Sequence, residues 1–132
     1  MRPSDFKLNS DYLALANIEN LTFTASIPST TLPASGLYSA TFNFTCKNIP
    51  KVMTRSYIRC SNWSEPNLWG VGSSGGNLLE NGSDAFYERM FVATPTNSVI
   101  RLSVEIQGGV GKTIPAHEIT VKVFRFKVPN VF

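Results

Sequence analysis

Two tryptophans stand in the most chemically suggestive segment of the chain, Asn62-Trp63-Ser64-Glu65-Pro66-Asn67-Leu68-Trp69-Gly70. Exposed aromatic rings beside Asn and Glu suit sugars, because the C–H face of a sugar stacks on a ring while its hydroxyls form hydrogen bonds. The candidate ligand-binding residues are therefore Trp63, Trp69, Asn62, Glu65 and Asn67. The alternative is that these tryptophans close one end of the core or contact another subunit.

The other reactive side chains form no pattern that indicates catalysis or metal binding. The single histidine, His117, has no nucleophile close to it in sequence. Asp84 and Glu88 are interpreted as a turn residue and a strand-surface charge. Metal sites need several His, Cys or Asp ligands at characteristic spacings, and the sequence has none. We predict no enzymatic activity, no catalytic residues, no cofactor and no bound metal.

A glycine-rich segment, Gly108-Gly109-Val110-Gly111-Lys112-Thr113, shares part of the pattern of a phosphate-binding loop. The pattern requires a further glycine where this chain has Ile106, and it requires a helix after Thr113 to hold the phosphates. Ile114 and Pro115 lead into a β pattern instead. We predict a glycine-rich hairpin loop without phosphate binding.

The charge distribution argues against nucleic acid as a partner. The formal net charge is +3 in 132 residues, and the charges occur singly along the chain. Nucleic-acid binding usually requires a denser basic stripe, because affinity comes from neutralising several phosphates together. The segment from Arg55 to Arg59 is the strongest candidate, and it is interpreted as the solvent-facing side of a strand.

The chain has no segment close to the ~20 apolar residues of a membrane-spanning helix, and we predict no membrane span. Its first residues lack the apolar stretch of a signal peptide. If residues 37–46 and 52–60 form a hairpin, Cys46 and Cys60 are out of register for a disulfide. Two buried, reduced cysteines fit synthesis in a reducing cytoplasm.

Period-two alternation of apolar and polar residues dominates the chain and predicts an all-β fold. Hydrophobic residues are 42% of the chain and charged residues 16%, which favours one ordered domain over residues 1–132. The domain is predicted to be a single antiparallel β-sandwich, jelly-roll-like or immunoglobulin-like, with little or no helix. A change of phase near Val123 and Phe124 predicts a β-bulge there, or a strand that changes sheets. The predicted strands are Leu21–Ile27, Leu37–Cys46, Val52–Cys60, Ala85–Ala93, Ser98–Gln107 and Glu118–Val128.

Both ends of the chain carry apolar residues outside the predicted strands. Residues 1–16 form a possible N-terminal arm, and extended arms with spaced apolar anchors commonly lock subunits together or cover a sheet edge. Phe6, Tyr12, Leu13 and Phe132 are therefore the candidate subunit-contact residues.

The opening Phe6-Lys7-Leu8-Asn9-Ser10-Asp11-Tyr12, followed by strands rich in Ser, Thr and Asn and an apolar C-terminus, resembles small virion and tail-accessory proteins of tailed bacteriophages and prophages. The resemblance implies an oligomeric virion component made in the bacterial cytoplasm, with other virion proteins as partners. The leading hypothesis is a structural or assembly protein. The alternative is a carbohydrate- or receptor-binding module that uses Trp63 and Trp69 to bind a cell-surface glycan.

Overall fold

The computed structural model describes residues 17–49, 54–60, 63–68 and 72–127, with the backbone alone for 17–18, 54–59, 63–68, 73 and 126–127. These residues form ten β-strands and no helix, so the predicted all-β class is confirmed. The strands are β1 (Asn17–Ile27), β2 (Thr30–Thr31), β3 (Leu37–Thr45), β4 (Thr54–Cys60), β5 (Trp63–Leu68), β6 (Ser73–Asn81), β7 (Asp84–Thr96), β8 (Val99–Gln107), β9 (Thr113–Ile114) and β10 (His117–Lys127). In the described ranges no helix is long and apolar enough to cross a membrane.

Two four-stranded antiparallel sheets face each other. Sheet I has the order β1-β10-β4-β5, and sheet II has the order β3-β8-β7-β6. Sheet II is a Greek key, because β6, β7 and β8 follow one another as neighbours while the earlier strand β3 lies beside β8. In sheet I the first strand pairs with the last along its whole length. This order differs from that of an immunoglobulin domain, where the first two strands are neighbours.

The core lies between the two sheets and follows from the alternation seen in the sequence. In β8, every second residue from Ile100 to Ile106 is buried, and the residues between them face outward. Sheet I contributes Ala25, Ile27, Cys60, Ile119, Val121 and Val123 to the core, and sheet II contributes Phe86, Met90, Val92, Ile100, Leu102, Val104 and Ile106. Leu32 and Ile114 belong to the segments of the small β2–β9 pair and join the same core.

The glycine-rich segment after β8 is a loop, as predicted. It folds back on the β2 segment, where Leu32 N donates to Lys112 O at 2.8 Å and Gly111 N donates to Leu32 O at 3.1 Å. The short strand β9 follows it rather than a helix. Gly36 has φ +67° and approaches this loop so closely that a Cβ would lie 2.8 Å from Gly108 O.

The predicted hairpin of residues 37–46 with 52–60 is wrong, because β3 belongs to sheet II and β4 to sheet I. The chain passes from one sheet to the other after Cys46, so register arguments about the two cysteines do not apply. Both cysteines are nevertheless free and buried, as predicted.

The predicted phase change in the last strand is also wrong. β10 pairs with β1 without interruption from His117 to Arg125, and its inward phase continues through Val121 and Val123 to Arg125. Arg125 therefore takes an interior position, while Phe124 is partly exposed to solvent. The register shift lies instead in β1, between Asn17 and Glu19, opposite this end of β10.

Candidate functional site

The predicted tryptophan loop is in part a strand. Trp63, Glu65 and Asn67 lie in β5, which pairs with β4 in a register that sets Trp63 opposite Cys60 and Asn67 opposite Ser56. A strand with Pro66 is possible here because β5 is at the edge of sheet I, where a residue without an N–H group is tolerated. Asn62 and Trp69 lie outside the described residues, and so do the arm residues Phe6, Tyr12 and Leu13 and the C-terminal Phe132.

One flank of the sandwich, between β1 and β3, is incompletely covered. In the described residues β1 pairs with β10 alone and β3 with β8 alone, so both are edge strands. In β3 the inward-facing side chains from Tyr38 to Phe44 are partly buried, and in β1 so are Leu21 and Phe23, although Ala25 and Ile27 are fully buried. We call this flank the open seam; its residues are Leu21, Phe23, Tyr38, Phe42 and Phe44.

An aromatic pair in the open seam connects β1 of sheet I with β3 of sheet II. The rings of Phe23 and Phe44 stack at a centroid distance of 4.6 Å and an interplanar angle of 10°. Stacked aromatic pairs stabilise a contact beyond the effect of buried area. The stack therefore fixes the two edge strands relative to each other while leaving apolar area exposed to a further chain.

A second surface lies on the outward face of sheet II, on β6, β7 and β8. Tyr87 and Phe91 alternate with buried neighbours on β7, and each is 47% exposed. They lie four residues apart on one strand face, which separates them by about 13 Å. We call this surface the aromatic platform. It forms an open concavity of about 560 Å³, whose lining includes Ser74, Gly76, Tyr87, Arg89, Phe91, Ser103 and Glu105.

Two glycines, Gly76 in β6 and Gly72 just before it, leave the space that the two rings occupy. A Cβ on Gly76 would lie 2.9 Å from Tyr87 Cζ, and a Cβ on Gly72 would lie 2.5 Å from Phe91 Cζ. Each ring therefore leans over a glycine near the sheet edge, in space that any side chain would fill. The consequence is that both rings extend over small residues of this face, while the exposed side chain of Leu78 lies opposite Tyr87.

Polar groups occupy the space between the two rings. Arg89 Nη2 lies 3.6 Å from Glu105 Oε2, and both side chains are at least half exposed. Ser74 pairs with Phe91 from one side of β7, and Ser103 pairs with it from the other. The Arg89–Glu105 ion pair thus supplies hydrogen-bond donors and acceptors between the two rings, and the two serine hydroxyls supply them beside Phe91.

The sequence interpretation of Glu88 as a surface charge is wrong. Glu88 is 1% exposed, because it shares the inward phase of Phe86, Met90 and Val92 on β7. Its Oε2 lies 2.6 Å from His117 Nε2, while His117 Nδ1 lies 2.8 Å from Pro115 O. Since a carbonyl oxygen can only accept, Nδ1 carries a proton and donates to it. The contact with Glu88 then requires one more proton, on Nε2 or on the carboxyl group. Asp84 lies at the β6–β7 turn, as predicted, 3.4 Å from Lys112 Nζ.

A second interior polar cluster lies at the end of β10. Arg125 Nη1 donates to Lys47 O at 2.7 Å and faces Glu19 Oε1 at 3.4 Å, while Nη2 donates to Ile49 O at 2.7 Å. Lys47 N donates to Glu19 Oε2 at 2.7 Å. Burial lowers the pKa of Arg125, and the Glu19 carboxylate opposes that effect. The cluster fixes the segment that leaves β3 for the other sheet, and it is structural rather than reactive.

The two cysteines are not reactive nucleophiles. Burial, together with the Glu19 carboxylate, raises the pKa of Cys46 to about 11. Burial raises the pKa of Cys60 to about 12. Thiolates are the reactive form, so both side chains remain protonated and inert near neutral pH. Among the described residues, no group of three or more His, Cys, Asp or Glu side chains could hold a metal ion.

Comparison with known proteins gives no relative from which a site could be transferred. No family model, no curated protein and no solved structure matches this chain. The open seam and the aromatic platform therefore rest on the geometry of this chain.

Proposed function

We propose that this protein is a non-enzymatic structural component that joins copies of itself in a larger assembly, of the kind found in bacteriophage virions and made in the bacterial cytoplasm. The observation that supports the proposal is the open seam, where two edge strands leave five apolar side chains partly uncovered. Natural proteins rarely leave sheet edges unprotected, because unpaired N–H and C=O groups attract further strands.

The proposed occupant of the open seam is the N-terminal arm, residues 1–16, of a neighbouring copy. The arm carries Phe6, Leu8, Tyr12, Leu13 and Leu15, which supply apolar anchors. A strand added along β1 or β3 would extend the sheet by main-chain hydrogen bonds and cover the exposed rings. A two-residue hairpin back onto its own β1 would need turn residues that adopt φ > 0, and Leu15-Ala16 just before β1 are not of the Asn-Gly, Asp-Gly or Gly-Gly type that such turns favour. A neighbour is therefore the better occupant.

Light scattering on a sizing column, over a range of concentrations, tests this proposal. The full chain should form a stable oligomer, and the variant Phe6→Ser/Tyr12→Ser/Leu13→Ser should be a monomer with unchanged circular dichroism. The matched control, Lys7→Ala/Asn9→Ala/Ser10→Ala, changes the same arm without removing an apolar anchor, and it should keep the mass of the parent. A full chain that is monomeric at every concentration would refute the proposal. So would an oligomer that survives loss of the three anchors.

The sequence-based alternative, glycan binding at Trp63 and Trp69, predicts that Trp63→Ala or Trp69→Ala abolishes binding while fold and mass are unchanged. Tryptophan fluorescence that does not respond to a panel of glycans would rule out a site in this segment.

A further inference from the structure

We infer that the aromatic platform is a binding site for an uncharged oligosaccharide. The site lies on β6, β7 and β8, whereas the open seam lies on the other flank of sheet II, at β3. The inference therefore does not depend on the proposed assembly function, and the site remains accessible when the open seam is covered.

The arrangement of the rings determines the size of the ligand. Tyr87 and Phe91 are exposed on one face of one strand, about 13 Å apart. That separation exceeds a single sugar ring and fits a chain whose non-adjacent units stack on the two aromatic faces. On this face, Gly72, Ser74 and Gly76 place no large side chain between the two rings, and Leu78 lies beyond them, opposite Tyr87. An oligosaccharide meets this geometry better than a monosaccharide does.

The polar groups between the rings determine the chemistry of the ligand. Arg89 and Glu105 are adjacent and of opposite charge, so the centre of the platform has no net charge. Guanidinium and carboxylate groups form hydrogen bonds in pairs with neighbouring hydroxyls, and Ser74 and Ser103 add further donors and acceptors. Alternating apolar and hydrogen-bonding positions match a neutral sugar chain, whose C–H faces and hydroxyl edges also alternate.

The same features argue against a protein or a nucleic acid as the ligand. Protein interfaces are enriched in aromatic residues and arginine but depleted of glutamate and serine, and the platform has Glu105, Ser74 and Ser103 around its rings. Nucleic acid would require several cations that are free to contact phosphates, and the cation of the platform is paired with Glu105. A neutral glycan is therefore the ligand class that the platform fits.

The test is affinity electrophoresis of the full chain through gels that contain a soluble neutral polysaccharide, with a β-glucan, a xylan, a galactomannan and a chito-oligosaccharide conjugate as separate probes. Isothermal titration with the matching oligosaccharide then gives the affinity. Tyr87→Ala and Phe91→Ala should each weaken binding about 3- to 10-fold, and the double variant should show no retardation. The matched control is Val110→Ala, which removes a more exposed apolar side chain from the loop after β8, outside the platform, and should change the affinity less than twofold.

Three results would overturn the inference. The first is that none of the four probes retards the parent protein. The second is retardation that persists in the double variant. The third is that Val110→Ala weakens binding as much as Tyr87→Ala, which would indicate non-specific apolar binding. Because every variant lies outside the open seam, the oligomeric mass should stay that of the parent in all of them, and the two proposals can fail separately.

Discussion

Replacing Arg125 should destabilise the domain more than replacing any exposed cation. Arg125 is completely buried, and its two terminal nitrogens bond the carbonyls of Lys47 and Ile49 beside the buried Glu19 carboxylate. Arg125→Met fills similar space but leaves the carboxylate without its cation. Removing one member of a buried ion pair costs about 3–5 kcal/mol. Domains of this size are stable by about 5–15 kcal/mol, so the loss is a large share of the total.

Two further variants separate charge from geometry. Arg125→Lys keeps the charge, but one ammonium cannot replace two nitrogens that bond different carbonyls, and it should cost about 1–3 kcal/mol. Adding Glu19→Gln to Arg125→Met neutralises the stranded carboxylate and keeps an oxygen for Lys47 N. The double variant should therefore be more stable than Arg125→Met alone.

Urea unfolding at pH 7, followed by circular dichroism, measures all of these free energies. The matched control is Arg89→Met, because Arg89 also pairs with a glutamate but is exposed, and exposed pairs contribute less than about 1 kcal/mol. If Arg125→Met costs no more than Arg89→Met, the buried cluster does not stabilise the fold and the reasoning is refuted.

Three other predictions concern the thiols, one turn and the histidine. Burial raises the pKa of Cys46 to about 11 and that of Cys60 to about 12, from 9.0. As the pH rises above 9.0, the thiols therefore lose their protons in the unfolded chain before they do so in the folded protein. The free energy of unfolding should fall by at most about 1.4 kcal/mol per pH unit for each thiol. Urea unfolding between pH 8 and 10.5 checks this slope, which should be shallower in the double Cys→Ala variant. Gly82 has φ +65°, and no neighbouring atom lies within 4 Å of the position that a Cβ would take. Gly82→Ala should therefore destabilise the domain by about 1 kcal/mol, because of the backbone conformation and not because of a clash. Gly82→Asn should destabilise it less in the same urea assay, because asparagine tolerates this conformation better. Glu88→Gln retains an N–H that can donate to His117 Nε2, whereas His117→Phe leaves the buried carboxyl group of Glu88 without its hydrogen-bond partner. The urea midpoint of unfolding should therefore be higher for Glu88→Gln than for His117→Phe.

The strands were predictable because alternation depends on local sequence, and β8 is the clearest example. Its inward residues Ile100, Leu102, Val104 and Ile106 are all apolar, and its outward residues include Arg101 and Glu105. No tertiary information is needed to place such a strand.

The wrong predictions for β7 and β10 share a physical cause. A charged residue can take an inward position of a strand when a partner that is distant in sequence pairs with it, and alternation does not reveal that partner. Arg125 is buried because Glu19 lies beside it, although the two are 106 residues apart in the chain. Alternation alone assigns the inward phase to the neighbouring phenylalanines instead. Glu88 is misplaced for the same reason, since its partner His117 is 29 residues away.

The aromatic platform is not evident from the sequence, because β7 carries large apolar residues on both faces. Tyr87 and Phe91 alternate with the core residues Phe86, Met90 and Val92, so an aromatic residue of either phase could have been assigned to the core. The signal that could have found the platform is the pair Gly75-Gly76 in a neighbouring strand, because glycine inside a strand often marks a close approach by another group.

The pairing of β1 with β10 makes the folding of sheet I depend on two strands that are far apart in sequence. β10 lies between β1 and β4, so a nascent chain that stops before His117 lacks the strand that joins the two parts of sheet I. During synthesis the apolar face of β1 remains exposed until β10 has been made. Pairing between strands so distant in sequence is characteristic of domains that fold in milliseconds to seconds. The three strands β6, β7 and β8 of sheet II are consecutive in sequence, so they can pair before β10 has been synthesised.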